Sequence, residues 1–201
     1  MSTQSVSPSR RDRIVEAALE SFAAKGFDGT STKEIASKAG VAEGLIFHHF
    51  ENKEGLLAAV FETQRSYFGE LEGLSSDPPD LPPESALRGL ANGALARLRR
   101  ESRIAVVLFS TAQTNSEMRT RLRAVIGEGT GHLARYLELR RDRGELRGDL
   151  DADMAAFAFL SPLFLFFLVN RDLPDSEWED SSARFVESLV TSWLEGNGVG
   201  G

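Results

Sequence analysis

The 201-residue chain has no cysteine. That absence removes disulfides, thiolate zinc sites and cysteine nucleophiles together, and it fits a reducing compartment such as the cytosol. Positive charge is not in excess either: 23 Lys and Arg stand against 30 Asp and Glu, a formal net charge of −7. This argues against blanket attachment to nucleic acid or to an anionic membrane, so binding to DNA would have to rest on a few placed contacts. Residues 1–57 carry seven Lys/Arg and eight Asp/Glu, which softens the balance only slightly. No unbroken apolar run reaches the ~20 residues of a bilayer span. The longest, Met154 to Val169, is interrupted by Ser161-Pro162 and preceded by Asp151 and Asp153. It reads as a buried helix of a soluble protein, with no membrane partner. The first residues are polar and lead into a charged segment, so no signal peptide is expected. No segment alternates as a strand, and no period of about 20–50 residues repeats.

Proline is scarce where helices would need it to be. None lies between Pro8 and Pro78, and four crowd into the loop SSDPPDLPP at 75–83. Helices stop before prolines, so the proline-free stretches are where they can form. Apolar spacing near 3.6 fills those stretches. Helix one is predicted over Ser9 to Lys25, with Ile14, Ala17, Ala18 and Phe22 on one face; Gly26 ends it and Phe27 packs back. Helix two covers Thr32 to Ala39 and helix three Glu43 to His49. Helix four starts after Asn52 and carries Leu56, Leu57, Val60 and Phe61. Five more fall near 84–100, 103–113, 116–142, 152–170 and 177–195. The expected fold is all-α, with about nine helices. A helix-turn-helix domain spans 1–55, with a disordered arm at 1–8. A larger helical domain spans 56–201, with a disordered tail at 196–201. The two join inside helix four, whose continuity could carry motion between them.

Thr30 to Leu57 holds the chemistry. Ser31-Thr32-Lys33-Glu34 fits a capping box, which stabilises a helix whatever its function. Spare hydroxyls and amides at such an end can also hold a phosphate. Gly40 suits the left-handed turn after helix two. Val41 then inserts between the helices, and Ile35, Ala36, Leu45 and Ile46 complete a small core. Arg10 and Arg11 open helix one and Lys53 opens helix four. Cations there oppose the helix dipole at ~0.3–1 kcal/mol each, a cost that an external phosphate would reverse. His48 and His49 point about 100° apart on a helix, and neither Cys nor a third nearby His completes a set, so no metal site is expected.

VAEGLIFHHFENKEGLL, residues 41–57, resembles the recognition-helix signature of TetR-family transcriptional regulators. Val41, Gly44, Phe47, His49, Phe50, Lys53-Glu54 and Leu56-Leu57 carry the match. Upstream, Ala18, Phe22, Gly26-Phe27, Thr30, Thr32, Ile35, Ala36, Ala39 and Gly40 extend it over roughly residues 9–60. The resemblance implies that residues 42–49 lie in a major groove and that the first turns of helices one, two and four meet phosphates. The implied DNA contacts are Arg10, Arg11, Ser31, Thr32, Lys33, Glu43, Gly44, Phe47, His48, His49 and Lys53. Of these, Thr32, Lys33, Phe47, His49 and Lys53 suit the backbone, and Glu43, Gly44 and His48 suit base edges. Glu43 either accepts from a cytosine amino group or simply stabilises its helix end. Three positions depart from the pattern. Phe47 replaces a usual Tyr and cannot donate to phosphate. Ala42 leaves helix three without a side-chain cap. Leu45 makes an apolar contact, with a thymine methyl or with the domain core.

Phe157, Phe159, Phe164, Phe166 and Phe167 crowd one later segment. The resemblance implies a cavity among helices four to eight for a small, mainly apolar effector, lined by Phe61, Phe109, Gln113, His132, Tyr136, Phe157, Ser161 and Phe164. Gly127, Gly129 and Gly131 each cost helix seven ~1 kcal/mol against Ala. Close helix contact, a local break or room for a ligand would compensate. Pro162 should kink helix eight. Ser176-Glu177-Trp178-Glu179 looks like another capping box. The face made by Phe185, Val186, Leu189, Val190, Trp193 and Leu194 needs a partner. By resemblance, helices eight and nine of two subunits form a homodimer, which presents reading helices ~34 Å apart to a palindromic operator on double-stranded DNA. The function implied is a cytoplasmic, ligand-responsive repressor without a cofactor. Nothing suggests an enzyme: there is no Ser/His/Asp order, no phosphate loop after a strand and no metal triad.

Overall fold

Capping residues and glycines set the helix ends. The structure, a computed structural model, describes residues 9–62 and 81–198. The expected arm at 1–8, residues 63–80 with the first part of the proline-rich loop, and residues 199–201 lie outside the described residues. Among the described residues are nine helices and one isolated antiparallel bridge, Leu146 to Gly198. Helix α1 (Arg10–Lys25) begins with a reciprocal capping box: the Ser9 hydroxyl accepts from the Asp12 amide at 3.1 Å, and the Asp12 carboxylate accepts from the Ser9 amide. Hydrogen bonds from the Ser9 hydroxyl and amide hold Asp12 below the ordinary carboxylate range. Gly26 ends α1 at φ 74°, and Phe27 folds back to within 5.3 Å of Phe22 between ring centroids.

Helix α2 (Thr32–Ala39) is capped by Ser31, but only half of the expected capping box forms. Ser31 Oγ accepts from the Glu34 amide, whereas the Glu34 carboxylate turns to Lys25 at 2.5 Å. An ion pair across two helices has displaced the reciprocal bond. Gly40 takes the left-handed conformation at φ 66° and ψ 43° and directs the chain into α3 (Glu43–Phe50). Ala42 gives α3 no side-chain cap, as expected. Between α3 and α4 (Lys53–Glu62) Glu51 sits at φ 64°, and Asn52 N donates to Phe50 O at 2.7 Å. This is a γ-turn that a non-glycine residue enters only with strain. Gly55 closes the turn: a Cβ there would lie 2.1 Å from Phe50 O.

The remaining helices are α5 (Pro83–Arg100), α6 (Ser102–Ala112), α7 (Ser116–Asp142), α8 (Ala152–Asn170) and α9 (Asp175–Asn197). The chain packs as two compact units. Of the described residues, 9–62 and 103–120 belong to the first, and 81–102 and 121–198 to the second. The first is thus larger than a 1–55 domain. Arg103 of α6 reaches Glu16 at 2.9 Å and Glu20 at 3.4 Å on α1, and Lys38 pairs with Glu20 at 2.7 Å. These exposed pairs contribute little each; burial does more. Ile14, Ala18, Phe22, Ile35, Ile46, Leu56, Leu57 and Val60 are all essentially inaccessible, and each large one contributes ~1.5–3 kcal/mol. Thr30 is buried too, its hydroxyl donating to Ser21 O at 3.1 Å and Gly26 O at 2.8 Å. Thr30→Val is expected to destabilise the protein by ~1–3 kcal/mol, because the buried hydroxyl that ties Ser21 O to Gly26 O is lost. A urea melt showing no change would refute that role.

In the second unit α5 packs on α8 and α9. Leu87, Ala91 and Leu95 are buried with Ala156, Phe159, Leu163 and Phe167 and with Val186, Val190 and Trp193. Phe159 meets Trp193 edge-on at 5.9 Å, and Trp193 Nε1 donates to Ala155 O. The α9 face that looked unpartnered is therefore covered largely from within. The second predicted capping box is absent: α9 starts at Asp175, with Pro174 at its cap position and no side-chain cap. The tail expected to be disordered from 196 is helical to Asn197, with Arg147 N donating to Asn197 O. Pro162 does not end α8, which runs on to Asn170. The glycines do not break α7. A Cβ at Gly127 would meet nothing within 4 Å, and one at Gly131 only Arg135 Nη1 at 3.8 Å, so close helix contact does not explain those two either. By length and composition α8 could cross a membrane, a test that a helix of a soluble protein also passes. Its outer face, formed by Met154, Phe157, Ala158, Ser161, Leu165 and Val169, is exposed.

Candidate nucleic-acid interface

The first unit presents α3 with its inner side fixed and its outer side bare. Ile46 and Phe50 are buried, while Gly44, Phe47, His48 and His49 are exposed. Phe47 is 46% exposed, a large aromatic surface left without cover on a helix of the first unit. Gly44 costs α3 helix stability, yet a Cβ there would meet nothing within 4 Å. Nothing inside the protein requires glycine at that position. The imidazoles of His48 and His49 lie edge to face, 5.3 Å apart.

The ends of α1 and α2 frame this surface. Arg10, Arg13 and Lys33 are exposed and have no ion-pair partner among the described residues. Arg11 stands with its guanidinium 5.3 Å over the Phe50 ring, at the far end of α3. Arg13 was not among the predicted contacts. Its nearness to the helix-turn-helix glycine (Nη1 3.9 Å from the Cβ position of Gly40) depends on the fold and leaves no mark in the sequence. Ser31 is exposed at the cap of α2, and Thr32 beside it donates to Glu43 Oε1 at 2.6 Å. Glu43 therefore faces α2 and does not stand free.

Lys53 departs from expectation. Its ammonium donates to Phe27 O at 2.9 Å and Thr30 O at 3.1 Å, and lies 4.3 Å from the Phe27 ring centroid. The cation at the start of α4 is compensated by carbonyls of the α1–α2 loop, which an external phosphate was expected to do. Lys53→Ala is accordingly expected to cost roughly 1.5–3 kcal/mol of stability, the range for hydrogen bonds to a charged group, and to leave the salt dependence of DNA binding unchanged. A salt slope lower by about 0.9 at unchanged stability would return Lys53 to the phosphate.

The predicted effector residues divide. His132 and Tyr136 are buried on α7, with Arg135 Nη2 2.8 Å from His132 Nδ1 and the Arg140 guanidinium over the Tyr136 ring. Burial pushes the Tyr136 phenol up, so it stays protonated near neutral pH. Phe61 and Phe164 are half-buried, the latter 6.1 Å from Phe167. Phe109 and Gln113 are exposed, and the Gln113 amide is turned back onto Phe109 O. Phe157 and Ser161 sit on the outer face of α8, Ser161 Oγ donating to Phe157 O.

A family model for bacterial regulatory proteins, tetR family, matches residues 14–60, and one for a tetracyclin repressor-like C-terminal domain matches residues 82–186. The chain is 31% identical over 176 residues to the HTH-type transcriptional regulator TtgR of Pseudomonas putida, covering 83% of this chain and 82% of that protein. It is 27% identical over 176 residues to the probable acrEF/envCD operon repressor of Escherichia coli, covering 81% and 79%. The solved structure of SmeT, the repressor of the Stenotrophomonas maltophilia multidrug efflux pump SmeDEF, superposes with a TM-score of 0.71 at 26% identity, covering 95% of this chain and 91% of that one.

Proposed function

The chain belongs to the TetR family of bacterial regulatory proteins, and from that premise we propose that α3 enters the major groove of an operator while the first turns of α1 and α2 hold its backbone. It is a ligand-responsive, DNA-binding transcriptional repressor and not an enzyme. Regulators of this family bind DNA operators and small-molecule effectors and act as dimers.

The bare face of α3 carries the proposal. Gly44, Phe47 and His48 follow one helical stripe, and the glycine has no internal reason to be there. A missing side chain lets a helix backbone come close to base edges. Arg10, Arg11, Ser31, Thr32, Lys33 and His49 supply the phosphate-facing groups around it. With a chain this acidic, affinity comes from these few contacts and falls steeply with salt. Fluorescence anisotropy of the purified protein against labelled duplexes from its own upstream region tests the proposal. Binding at low ionic strength that weakens with added salt supports it; no binding, or salt-independent binding, refutes it.

Two copies pair through the outer stripe of α8, flanked by α9, in this proposal. Leu165 is 63% exposed and Val169 75%, in a contiguous apolar strip on which a soluble chain would otherwise have to tolerate water. A two-fold dimer matches a palindromic operator. The effector is mainly apolar, meeting aromatic side chains such as Phe164, with His132 and the Tyr136 phenol as polar partners. It releases the operator by favouring a form whose heads are wrongly spaced, and it changes DNA affinity by no more than its own preference between the two forms. The protein works in the cytoplasm, where the operator is.

A further inference from the structure

Glu43 is the first residue of α3 and Thr32 the first of α2, and the 2.6 Å bond between Thr32 Oγ1 and Glu43 Oε1 joins the N-terminal ends of both helices. Each end carries unsatisfied amides and partial positive charge. Ala42 contributes no capping side chain, and Lys33 lies next to Thr32 without an ion-pair partner among the described residues. An anion is most at home at such a place, and the chain fills it with its own carboxylate. Stabilising the start of α3 would explain a carboxylate at position 43. It would not explain the reach across to the hydroxyl of another helix.

We propose that Glu43 sets the sequence preference of the reading head, by withholding Thr32 from phosphate except where the groove offers a cytosine amino group. The inference rests on the groove-reading role of α3 given above. On a duplex without that amino group, Thr32 can turn to a phosphate only by breaking its bond to Glu43. The carboxylate is then left facing the DNA with no donor. On a duplex with cytosine at the facing position, the cytosine N4 amino group donates to the carboxylate, and the Thr32 hydroxyl is free to donate to a phosphate oxygen. The hydrogen bond lost is then replaced by two. Cytosine is the base that fits, since its major-groove edge presents a donor alone, whereas adenine sets its N7 acceptor beside the amino group and would repel the second carboxylate oxygen.

The test compares the full-length wild type with Glu43→Gln, whose amide oxygen still accepts from Thr32 and so keeps the fold. Each protein selects from a pool of duplexes with a randomised centre, and each is titrated against a fixed nonspecific duplex of about 30 base pairs, long enough for two half-sites. The wild type is expected to enrich cytosine at one position of each half-site. Glu43→Gln is expected to lose that enrichment and to bind the nonspecific duplex about five-fold tighter per head at low salt, roughly 25-fold for a dimer with both heads engaged, the effect of removing one unit charge ~4 Å from a phosphate in water at each head. Glu43→Asp keeps the charge and should keep the low nonspecific affinity of the wild type. If both proteins enrich the same sequence, or Glu43→Gln does not gain nonspecific affinity, the inference is overturned while groove reading stands. If the wild type enriches nothing, groove reading itself falls, and this inference with it.

Discussion

Leu165→Glu is expected to yield a folded monomer that has lost at least about a hundredfold in operator affinity. Leu165 lies 63% exposed on α8, so a carboxylate there is solvated in the single chain and buried only against a second copy. In the proposed dimer each copy would have to desolvate a carboxylate with no opposite charge to meet it, which an apolar interface cannot accommodate. Without the dimer, the second head no longer binds as an intramolecular event, and the gain from linkage is lost. The sharpest contrast is Leu163, two residues away and 2% exposed. Leu163→Glu should unfold the second unit, whereas Leu165→Glu should melt within a few degrees of the wild type. Sedimentation equilibrium with thermal melting reads both outcomes. A dimeric Leu165→Glu would place the subunit interface elsewhere.

Gly44→Ala is expected to move stability and DNA binding in opposite directions. Alanine is the better helix former by ~0.5–1 kcal/mol, and the added Cβ meets nothing within 4 Å, so the melting temperature should rise. Operator affinity should fall by roughly ten- to a hundredfold, the worth of one good contact in the groove, because the methyl group holds the α3 backbone off the bases. An ordinary surface position would show the first effect without the second. Unchanged DNA affinity would remove the case for close approach at Gly44.

The helix ends were largely legible in the sequence because they are set locally. Gly26, Gly40, Ser31 and the proline spacing act within a few residues, and the observed helices begin and end close to where those signals lie. Choices between rival partners were not legible. Glu34 had its own helix end to cap and took Lys25 instead. Lys53 had phosphate to wait for, and took two loop carbonyls that lie more than twenty residues earlier in the chain. The two apolar helices show the same limit at larger scale. On α9 the polar and apolar faces are distinct, yet the pattern does not say whether α5 or a second subunit covers the apolar one. On α8 the residues are apolar on every side, so the sequence carries no phase. An inward orientation of Phe157 and Ser161 fails for that reason: both share an exposed stripe with Leu165. Residues 103–120 join the first unit through contacts such as Arg103 to Glu16, a long-range pairing that no local signal announces.

Hydroxyl-radical footprinting on a duplex bound by the wild-type protein tests the central claim most directly, that paired α3 helices are offered to successive grooves of one DNA. Two protected patches related by a two-fold axis, with centres one helical turn apart (about 34–36 Å) or a multiple of it, are predicted. A single patch, or a duplex left evenly cleaved at low ionic strength, would contradict it.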